Sequence, residues 1–393
     1  MPAFVCIMRS QSHRFSLLLC VSMALVLAGY CDRPVGSGSA GAAADIPEIR
    51  LGGAALGTTY NIRIRLDPEG VAARRVAGQD DVAATLEREV QSAIDAMNAA
   101  MSNWHPESEI SRFNRGGTRA VQISNDFARV VQEAARIHRL SGGAFDPARD
   151  TLFALWGFGG GQQAGDSEQA RRRLPTPDEI EATLRTSGMQ RVQLRGTSLR
   201  KTAPELRLNL SAIAKGFAVD IVFRLLERHP LLMADETPPA LMVEIGGEVR
   251  VGRIIAGRPW RLGVERPRYA ADGENDGRRS IFRVAELERT AMATSGDYRN
   301  YFVSGEDGVR YSHILDPRSG RPETTGVAQA TVIGPDCMTA DALATTLLVL
   351  GEEAGLKLIA SISEYEALLL IATSENEFRT AMSAGMSRWL RPE

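Results

Sequence analysis

The chain has few cysteines, and three of the four lie near its start. Cys6, Cys20 and Cys31 precede a segment rich in Gly and Ser, so only Cys337 belongs firmly to the folded body. A disulfide framework and a cysteine-rich metal site are therefore excluded. The body must depend on its hydrophobic core, and a chain of 393 residues with 44% hydrophobic residues can bury a large one.

An excess of positive charge is also lacking. The chain has 46 Lys and Arg residues against 48 Asp and Glu residues, which gives a formal net charge of −2. This balance excludes a generally basic surface for nucleic acid, so we expect no nucleic acid among the partners. We also find no internal repeat and no heptad run.

The first 46 residues have the pattern of an export signal and a tether. Basic residues from Arg9 to Arg14 precede an apolar run over residues 15–27, which is too short to span a bilayer comfortably. We therefore predict a signal peptide over residues 1–31, a flexible Gly/Ser-rich tether over 32–46, and one folded domain over 47–393. The expected location is the periplasm.

Residues 27–31 are similar to a bacterial lipoprotein box that ends at Cys31. Tyr30 stands where a small residue normally precedes the modified cysteine, and Ala28 stands where Leu is usual. Two outcomes therefore remain open. Lipid attachment at Cys31 would anchor the protein to the inner membrane, whereas ordinary cleavage nearby would release it.

Strand and helix patterns alternate along the body without the regular period of a parallel, doubly wound sheet. Helices are predicted over 82–101, over 127–140, and over 212–227 with Ser211 as its cap. Strands are predicted over 58–65, 191–194, 206–210, 243–245, 260–265, 282–287, 331–333 and 367–372, with 191–194 paired to 206–210. The fold class is therefore α+β, with a mixed or antiparallel sheet and packed helices. Surface loops or a lid are expected over 159–173 and 269–279.

Two segments in the second half carry residue types suited to catalysis. His313 lies beside an Asp-Pro turn, which presents a titratable ring on a rigid loop. Asp341 and Thr345 are four residues apart in a helical pattern, so both side chains project from one face. A carboxylate and a hydroxyl at this spacing suit Mg²⁺, although a capping or solvated helix face is the simpler alternative. Together the segments indicate a metal-assisted reaction on a phosphate-bearing ligand.

These segments belong to an ordered set of motifs that resembles the ApbE family. The set covers about residues 50–350 and includes Gly57-Thr58-Thr59-Tyr60, Met101-Ser102-Asn103-Trp104, Gly143-Ala144-Phe145-Asp146-Pro147, Ser211-Ala212-Ile213-Ala214-Lys215-Gly216, Glu244-Ile245-Gly246-Gly247-Glu248 and Ser295-Gly296-Asp297-Tyr298. The resemblance implies an exported bacterial FAD:protein FMN transferase with one catalytic domain of T-fold-like halves. Its expected reaction is Mg²⁺-dependent transfer of FMN from FAD to a threonine hydroxyl of an exported redox protein, with release of AMP.

The resemblance also implies roles for particular residues. Asp341, Thr345 and the backbone carbonyl of Ala212 would bind Mg²⁺, and His313 would act as the general base. The positions that would contact FAD are Leu56, Trp104, Ala144, Phe145, Asp146, Asn209, Lys215 and Leu315. Three of these depart from the family pattern. Leu56 replaces a frequent Met, Trp104 a common Tyr, and Asn209 the usual Asp, which keeps hydrogen bonding but loses a charge.

Other assignments of residues and function remain open at this point. His313 could be a core histidine that donates to a carbonyl, and His105 is a second candidate because it adjoins Trp104. We expect His138 and His229 to face solvent, since they lie in or at the ends of amphipathic helices. The same site with water as acceptor would give an exported FAD pyrophosphatase. An inactive site would give a flavin-binding lipoprotein.

Overall fold

The computed structural model describes residues 46–67, 81–158, 173–233, 237–269, 280–374 and 376–392. The predicted signal peptide, nearly all of the tether and nearly all of the two predicted surface loops lie outside these ranges. None of the helices within them is long and apolar enough to cross a membrane.

Seven helices are present in the described residues. They are α1 (Val82–Met101), α2 (Glu109–Arg115), α3 (Asn125–Leu140), α4 (Asp150–Leu155), α5 (Pro177–Thr186), α6 (Ser211–Glu227) and α7 (Cys337–Ala360). The predicted helices over 82–101, 127–140 and 212–227 correspond to α1, α3 and α6.

Seventeen strands are present in the same residues. They are β1 (Glu48–Ala55), β2 (Thr58–Arg65), β3 (Val121–Gln122), β4 (Val192–Arg195), β5 (Ser198–Lys201), β6 (Ala240–Ile245), β7 (Glu248–Val251), β8 (Trp260–Glu265), β9 (Ile281–Leu287), β10 (Thr290–Gly296), β11 (Tyr301–Val303), β12 (Arg310–Ser312), β13 (Leu315–Asp316), β14 (Arg321–Pro322), β15 (Val327–Gly334), β16 (Glu366–Ser374) and β17 (Glu377–Met382).

One eight-stranded sheet organises the fold. Its strand order is β1-β2-β6-β7-β10-β15-β16-β17, and every neighbouring pair is antiparallel. Helices α6 and α7 pack on one face, and the β8–β9 hairpin covers the other. All eight residues of β15 are buried, as expected for a central strand covered on both faces. The predicted α+β class with an antiparallel sheet is confirmed.

Helix α7 is buried along most of its length. Its N-cap is Asp336, whose side chain accepts the Thr339 backbone N–H at 2.8 Å. Its first three turns pack between the sheet and α6. Polar side chains on this segment are therefore held rigidly, because neither the helix nor the side chains can move without disturbing the core.

The predicted strand over 206–210 is wrong. Leu206, Leu208 and Leu210 are all buried, so apolar residues recur at every second position, as they would in a strand. The segment nevertheless has no strand partner among the described residues. Side chains satisfy part of its backbone, and two backbone bonds to Pro147 and Asp150 satisfy another part. The Lys201 ammonium donates to the Leu206 carbonyl at 2.8 Å, and the Asn114 amide both accepts the Leu208 N–H and donates to its carbonyl. Strand β4 pairs with β5 rather than with this segment.

Candidate active site

Helices α6 and α7 approach each other closely within their first two turns. A Cβ atom placed on Gly216 would lie 2.8 Å from Cβ of Asp341 and would also collide with the Cys337 carbonyl, so only glycine fits there. The Asp220 carboxylate accepts the N–H groups of Cys337 and Met338 at 3.0–3.1 Å. These contacts fix the start of α7 against α6.

Asp341 lies one turn further along α7 and points at the start of α6. Its side chain is almost fully buried, and Oδ2 accepts the Gly216 backbone N–H at 2.9 Å. In an α-helix the N–H of residue 216 faces the carbonyl of residue 212. The Asp341 carboxylate and the Ala212 carbonyl therefore lie next to the same amide group. The structure thus brings together two of the three predicted metal ligands.

Thr345 follows Asp341 by one turn, and Thr345 Oγ1 lies 3.0 Å from the hydroxyl oxygen of Ser295 near the end of β10. Asp341 and Thr345 are therefore one helical turn apart on α7, the spacing at which side chains project from one face, as the sequence predicted. Among the described residues, no group of three or more His, Cys, Asp and Glu side chains forms a metal centre. A site here would combine one carboxylate, one hydroxyl and one backbone carbonyl, which are the hard oxygen donors that Mg²⁺ accepts.

Several acidic side chains lie close to Lys215 at this junction. Lys215 forms an ion pair with the buried Glu248 and also attracts the Asp341 carboxylate. Glu244, buried on the adjacent strand, accepts the Gly247 N–H at 2.8 Å. Burial raises the pKa of the Asp341 carboxyl above its ordinary value, and Lys215 and the Gly216 N–H oppose that shift. A cation bound here would offset the cost of burying negative charge.

The turn between β1 and β2 lies beside this junction. Its two central residues, Leu56 and Gly57, have φ angles of 50° and 78°, as a two-residue hairpin of the type I′ class requires. The Gly246 N–H donates to the Thr59 carbonyl at 3.1 Å, which ties the hairpin to the β6–β7 turn. Leu56 adopts a left-handed conformation that is costly for a residue with a Cβ, and such strain is concentrated at functional sites.

The predicted FAD-contacting segment 144–146 forms a tight turn after α3. Ala144, Phe145 and Asp146 are all buried. The Asp146 carboxylate accepts the N–H groups of Ala148 and Met189 at 3.0–3.2 Å, so it faces the protein interior. Burial is the main cause that raises its pKa, against the opposing charges of Arg149 and His138. A ligand would therefore meet the backbone of this turn rather than the Asp146 carboxylate.

The expected solvent exposure is wrong for His229 and only partly right for His138, whose side chain is 23% exposed. His138 Nδ1 lies 2.9 Å from the Phe145 carbonyl oxygen and 3.8 Å from the Asp146 carboxylate, so the ring holds the 144–146 turn in place. His229 is 7% exposed, and its Nε2 lies 3.2 Å from the Glu89 carboxylate. The helical pattern of the sequence could not reveal these contacts, because Phe145, Asp146 and Glu89 belong to other segments of the chain.

Asn209 and Trp104 lie on neighbouring segments near the start of α6. The Asn209 side chain bridges the Ser211 N–H and the carboxylate of Asp150. Asn103, which precedes Trp104, donates its amide to the Leu208 carbonyl at 2.9 Å. Trp104 is 67% exposed and offers a large aromatic face to a ligand. The predicted cap at Ser211 is wrong, since Ser211 is the first helical residue and Asn209 accepts its N–H.

His313 follows β12, and two of its nitrogens contact one oxygen. Its backbone N–H donates to the Asn300 carbonyl at 3.0 Å, and Nδ1 lies 2.8 Å from the same oxygen. A carbonyl can only accept, so Nδ1 carries the proton and the lone pair of the neutral ring lies on Nε2.

Leu315 is buried in a cluster with Trp156 and Phe302, and it pairs with Pro322 between β13 and β14.

Sequence reasoning missed several residues of this region. Asp150, Glu248 and Gly216 contact Asn209, Lys215 and Asp341 respectively. The Gly-Gly-Glu motif and the glycine after Lys215 were visible in the sequence. Their partners were not, because each contact joins elements distant along the chain.

Comparisons with known proteins agree with this architecture. The model of the ApbE family matches residues 56–369. A Vibrio cholerae protein named FAD:protein FMN transferase is 36% identical over 360 residues, covering 91% of this chain and 94% of the relative. A Haemophilus influenzae protein of the same name is 34% identical over 378 residues, covering 94% and 96%.

Solved structures give the same result. The flavin transferase ApbE from Vibrio cholerae superposes with a TM-score of 0.71 at 34% identity, covering 88% of this chain and 100% of that one. The apo form of the Pseudomonas stutzeri flavinyl transferase ApbE gives a TM-score of 0.69 at 30% identity, covering 88% and 97%. The chain belongs to the ApbE family.

Proposed function

We propose that this chain is an FAD:protein FMN transferase that uses Mg²⁺ and modifies a threonine of an exported redox protein. The observation that carries the proposal is the position of the buried Asp341 carboxylate, which lies 2.9 Å from the Gly216 amide nitrogen of α6 and one turn before Thr345. The proposal draws on relatives that bear this activity as their name.

Asp341, Thr345 and the Ala212 carbonyl would hold the metal. The donor set fits, because it consists of oxygen atoms and the carboxylate is buried beside acidic neighbours. Bound there, Mg²⁺ would neutralise charge on the pyrophosphate of FAD and orient it. Lys215 supplies a further positive charge at the same place.

The flavin nucleotide would be bound by three segments around the start of α6. The 144–146 turn offers backbone groups, Trp104 offers an exposed aromatic face, and the strained hairpin turn places Leu56 beside the β6–β7 turn. Apolar surfaces combined with a few fixed polar groups are typical of nucleotide sites. These residues orient the substrate, and orientation is the largest requirement of phosphoryl transfer.

His313 would remove the proton from the attacking hydroxyl. Its Nδ1–H is directed at the Asn300 carbonyl, so Nε2 is the nitrogen that accepts. The threonine oxygen forms a bond to the FMN phosphorus, and the bond from that phosphorus to the bridging pyrophosphate oxygen breaks. AMP leaves with that oxygen, and the threonine proton passes to His313.

Co-expression with candidate exported redox proteins tests the proposal. We expect mass spectrometry to find FMN attached to a threonine of one such protein, and to find none when that threonine is replaced by valine. Modification of no acceptor, together with release of AMP and free FMN from FAD alone, would instead identify a pyrophosphatase.

We also propose that the protein is exported to the periplasm. The basic segment before residue 15 and the apolar run over 15–27 support this location. If Cys31 is lipidated, the mature protein fractionates with membranes, and Cys31→Ser releases it. A soluble mature protein that begins beyond Cys31 would identify ordinary cleavage.

A further inference from the structure

A pair of polar side chains joins the two segments that carry predicted FAD contacts. Asn209 Nδ2 donates to Asp150 Oδ1 at 3.0 Å, and Asn209 Oδ1 accepts the Ser211 N–H at 3.0 Å. Asp150 is 2% exposed, and its other oxygen lies 3.2 Å from Nε of Arg207. Two backbone bonds run alongside, from Asn209 N–H to the Pro147 carbonyl and from Asp150 N–H to the Arg207 carbonyl.

The chemistry of these neighbours allows one orientation of the Asn209 amide. An ionised carboxylate only accepts hydrogen bonds, so the amide must direct its NH₂ group at Asp150. A backbone N–H only donates, so the amide oxygen must face Ser211. The Asp150 carboxylate thus determines that the oxygen of the Asn209 amide accepts the Ser211 N–H. This bond lies in the first turn of α6, one residue before Ala212.

We infer that Asp150 is a positioning residue for the FAD site. Its carboxylate orients Asn209 and thereby couples the 144–150 segment to the first turn of α6. This inference rests on the proposed function, because the two coupled segments carry the predicted contacts for FAD and the metal. It also explains why an amide is tolerated at residue 209. A carboxylate there would face Asp150 at hydrogen-bond distance, and two like charges beside each other repel strongly when one of them is buried.

The inference predicts that Asp150→Asn has opposite effects in two backgrounds. Asn209→Asp alone should weaken FAD binding by about tenfold to a hundredfold, because two carboxylates then face each other. Asp150→Asn alone should weaken binding less, because the new amide can still present an oxygen to Asn209. In the double variant, the amide introduced at residue 150 can donate to the carboxylate introduced at residue 209, which can still accept the Ser211 N–H. Asp150→Asn should therefore restore most of the binding that Asn209→Asp removes.

Titration calorimetry with FAD and Mg²⁺ at pH 8 would measure the dissociation constant of each full-chain variant. The exposed substitutions Asp178→Asn and Asn125→Asp make the same changes of charge elsewhere and should leave binding unchanged. Thermal melting identifies any variant that fails to fold. If Asn209→Asp does not fold, the double variant should still fold and bind FAD within a few-fold of the wild type.

Two outcomes would overturn the inference. One is a double variant that binds FAD no more tightly than Asn209→Asp, and the other is an Asn209→Asp variant that folds and binds like the wild type. Failure of the proposed function is distinguishable in two ways. A chain without an FAD site would show no binding by the wild type, whereas a pyrophosphatase would bind FAD with the same order of affinities among the variants but would modify no acceptor.

Discussion

The Oδ2 atom of Asp341 lies 2.9 Å from the backbone nitrogen of Gly216, across the junction of α6 and α7. This bond directs a buried carboxylate at the first turn of α6, where the Ala212 carbonyl lies. The close approach is possible because residue 216 has no side chain. The close packing of the two helices therefore also positions the proposed metal ligand.

Gly216→Ala should separate the two helices. The new Cβ would meet Asp341 and the Cys337 carbonyl, and overpacking of this kind destabilises a protein by about 1–3 kcal/mol. Denaturant unfolding would measure the loss, and the Mg²⁺ concentration needed for half-maximal transfer should rise. Gly117→Ala is the matched control, since a Cβ there meets nothing within 4 Å. Equal stability of the two variants would contradict the close packing.

Asp341→Asn should remove most of the metal-dependent activity and leave the fold intact. The amide has the same size, but loss of the only carboxylate in the proposed ligand set should lower the rate of transfer at least about a hundredfold. Thr345→Val should cost about tenfold, because water can replace a neutral hydroxyl, and Thr345→Ser should restore the rate. Rates would be measured at saturating FAD across a series of Mg²⁺ concentrations. Wild-type transfer by Asp341→Asn would exclude this site.

His313→Ala should keep FAD affinity and lose the rate of transfer. A general base contributes about two to four orders of magnitude to the rate, and the role proposed for this ring is on the acceptor side of the reaction. Single-turnover kinetics with calorimetric binding of FAD would separate the two effects. His105→Ala is the control, because this exposed histidine adjoins Trp104. If His105→Ala shows the larger loss of rate, the base is His105.

Stability should depend on pH through Lys201. Burial lowers the pKa of the Lys201 ammonium to about 8, with a further contribution from Arg207, although Asn114 and Leu206 carbonyls accept its hydrogen bonds. The folded state therefore holds this proton less tightly than the unfolded chain does, where the pKa is near 10.5. The destabilisation is fully present below pH 8 and is relieved as the pH rises from about 8 to 10.5.

Urea unfolding of the wild type and of Lys201→Met at about pH 7.5 and about pH 10 would check this sign. The free energy of unfolding of the wild type should rise relative to that of the variant between the two values. A difference that stays constant with pH, or that falls, would show that burial does not perturb this lysine.

Part of the fold was visible in the sequence, because some of its strands and helices have clear periodicity. Residues 58–65 alternate, and residues 82–101 recur at helical spacing, as β2 and α1 confirm. The segment 206–210 also alternates, yet it is not a strand. Its backbone is satisfied in part by side chains of the nearby Lys201 and the distant Asn114, and no local pattern indicates that side chains would replace a strand partner.

The candidate site was predictable only in part, for a related reason. The spacing of Asp341 and Thr345 indicated one helical face, and α7 has that geometry. The inward direction of the Asp146 carboxylate and the pairing of Asn209 with Asp150 were not predictable. Both depend on which loops meet near the start of α6, and loop contacts follow from tertiary packing rather than from local pattern.

Transfer to a protein hydroxyl, rather than hydrolysis of FAD, is tested most directly by counting products. The purified chain would be incubated with FAD, Mg²⁺ and an acceptor protein, and AMP, free FMN and protein-bound FMN would be measured together. We predict one AMP for each FMN attached to the acceptor, and little AMP when the acceptor threonine is replaced by valine. Equal release of AMP and free FMN with and without the acceptor would contradict the account.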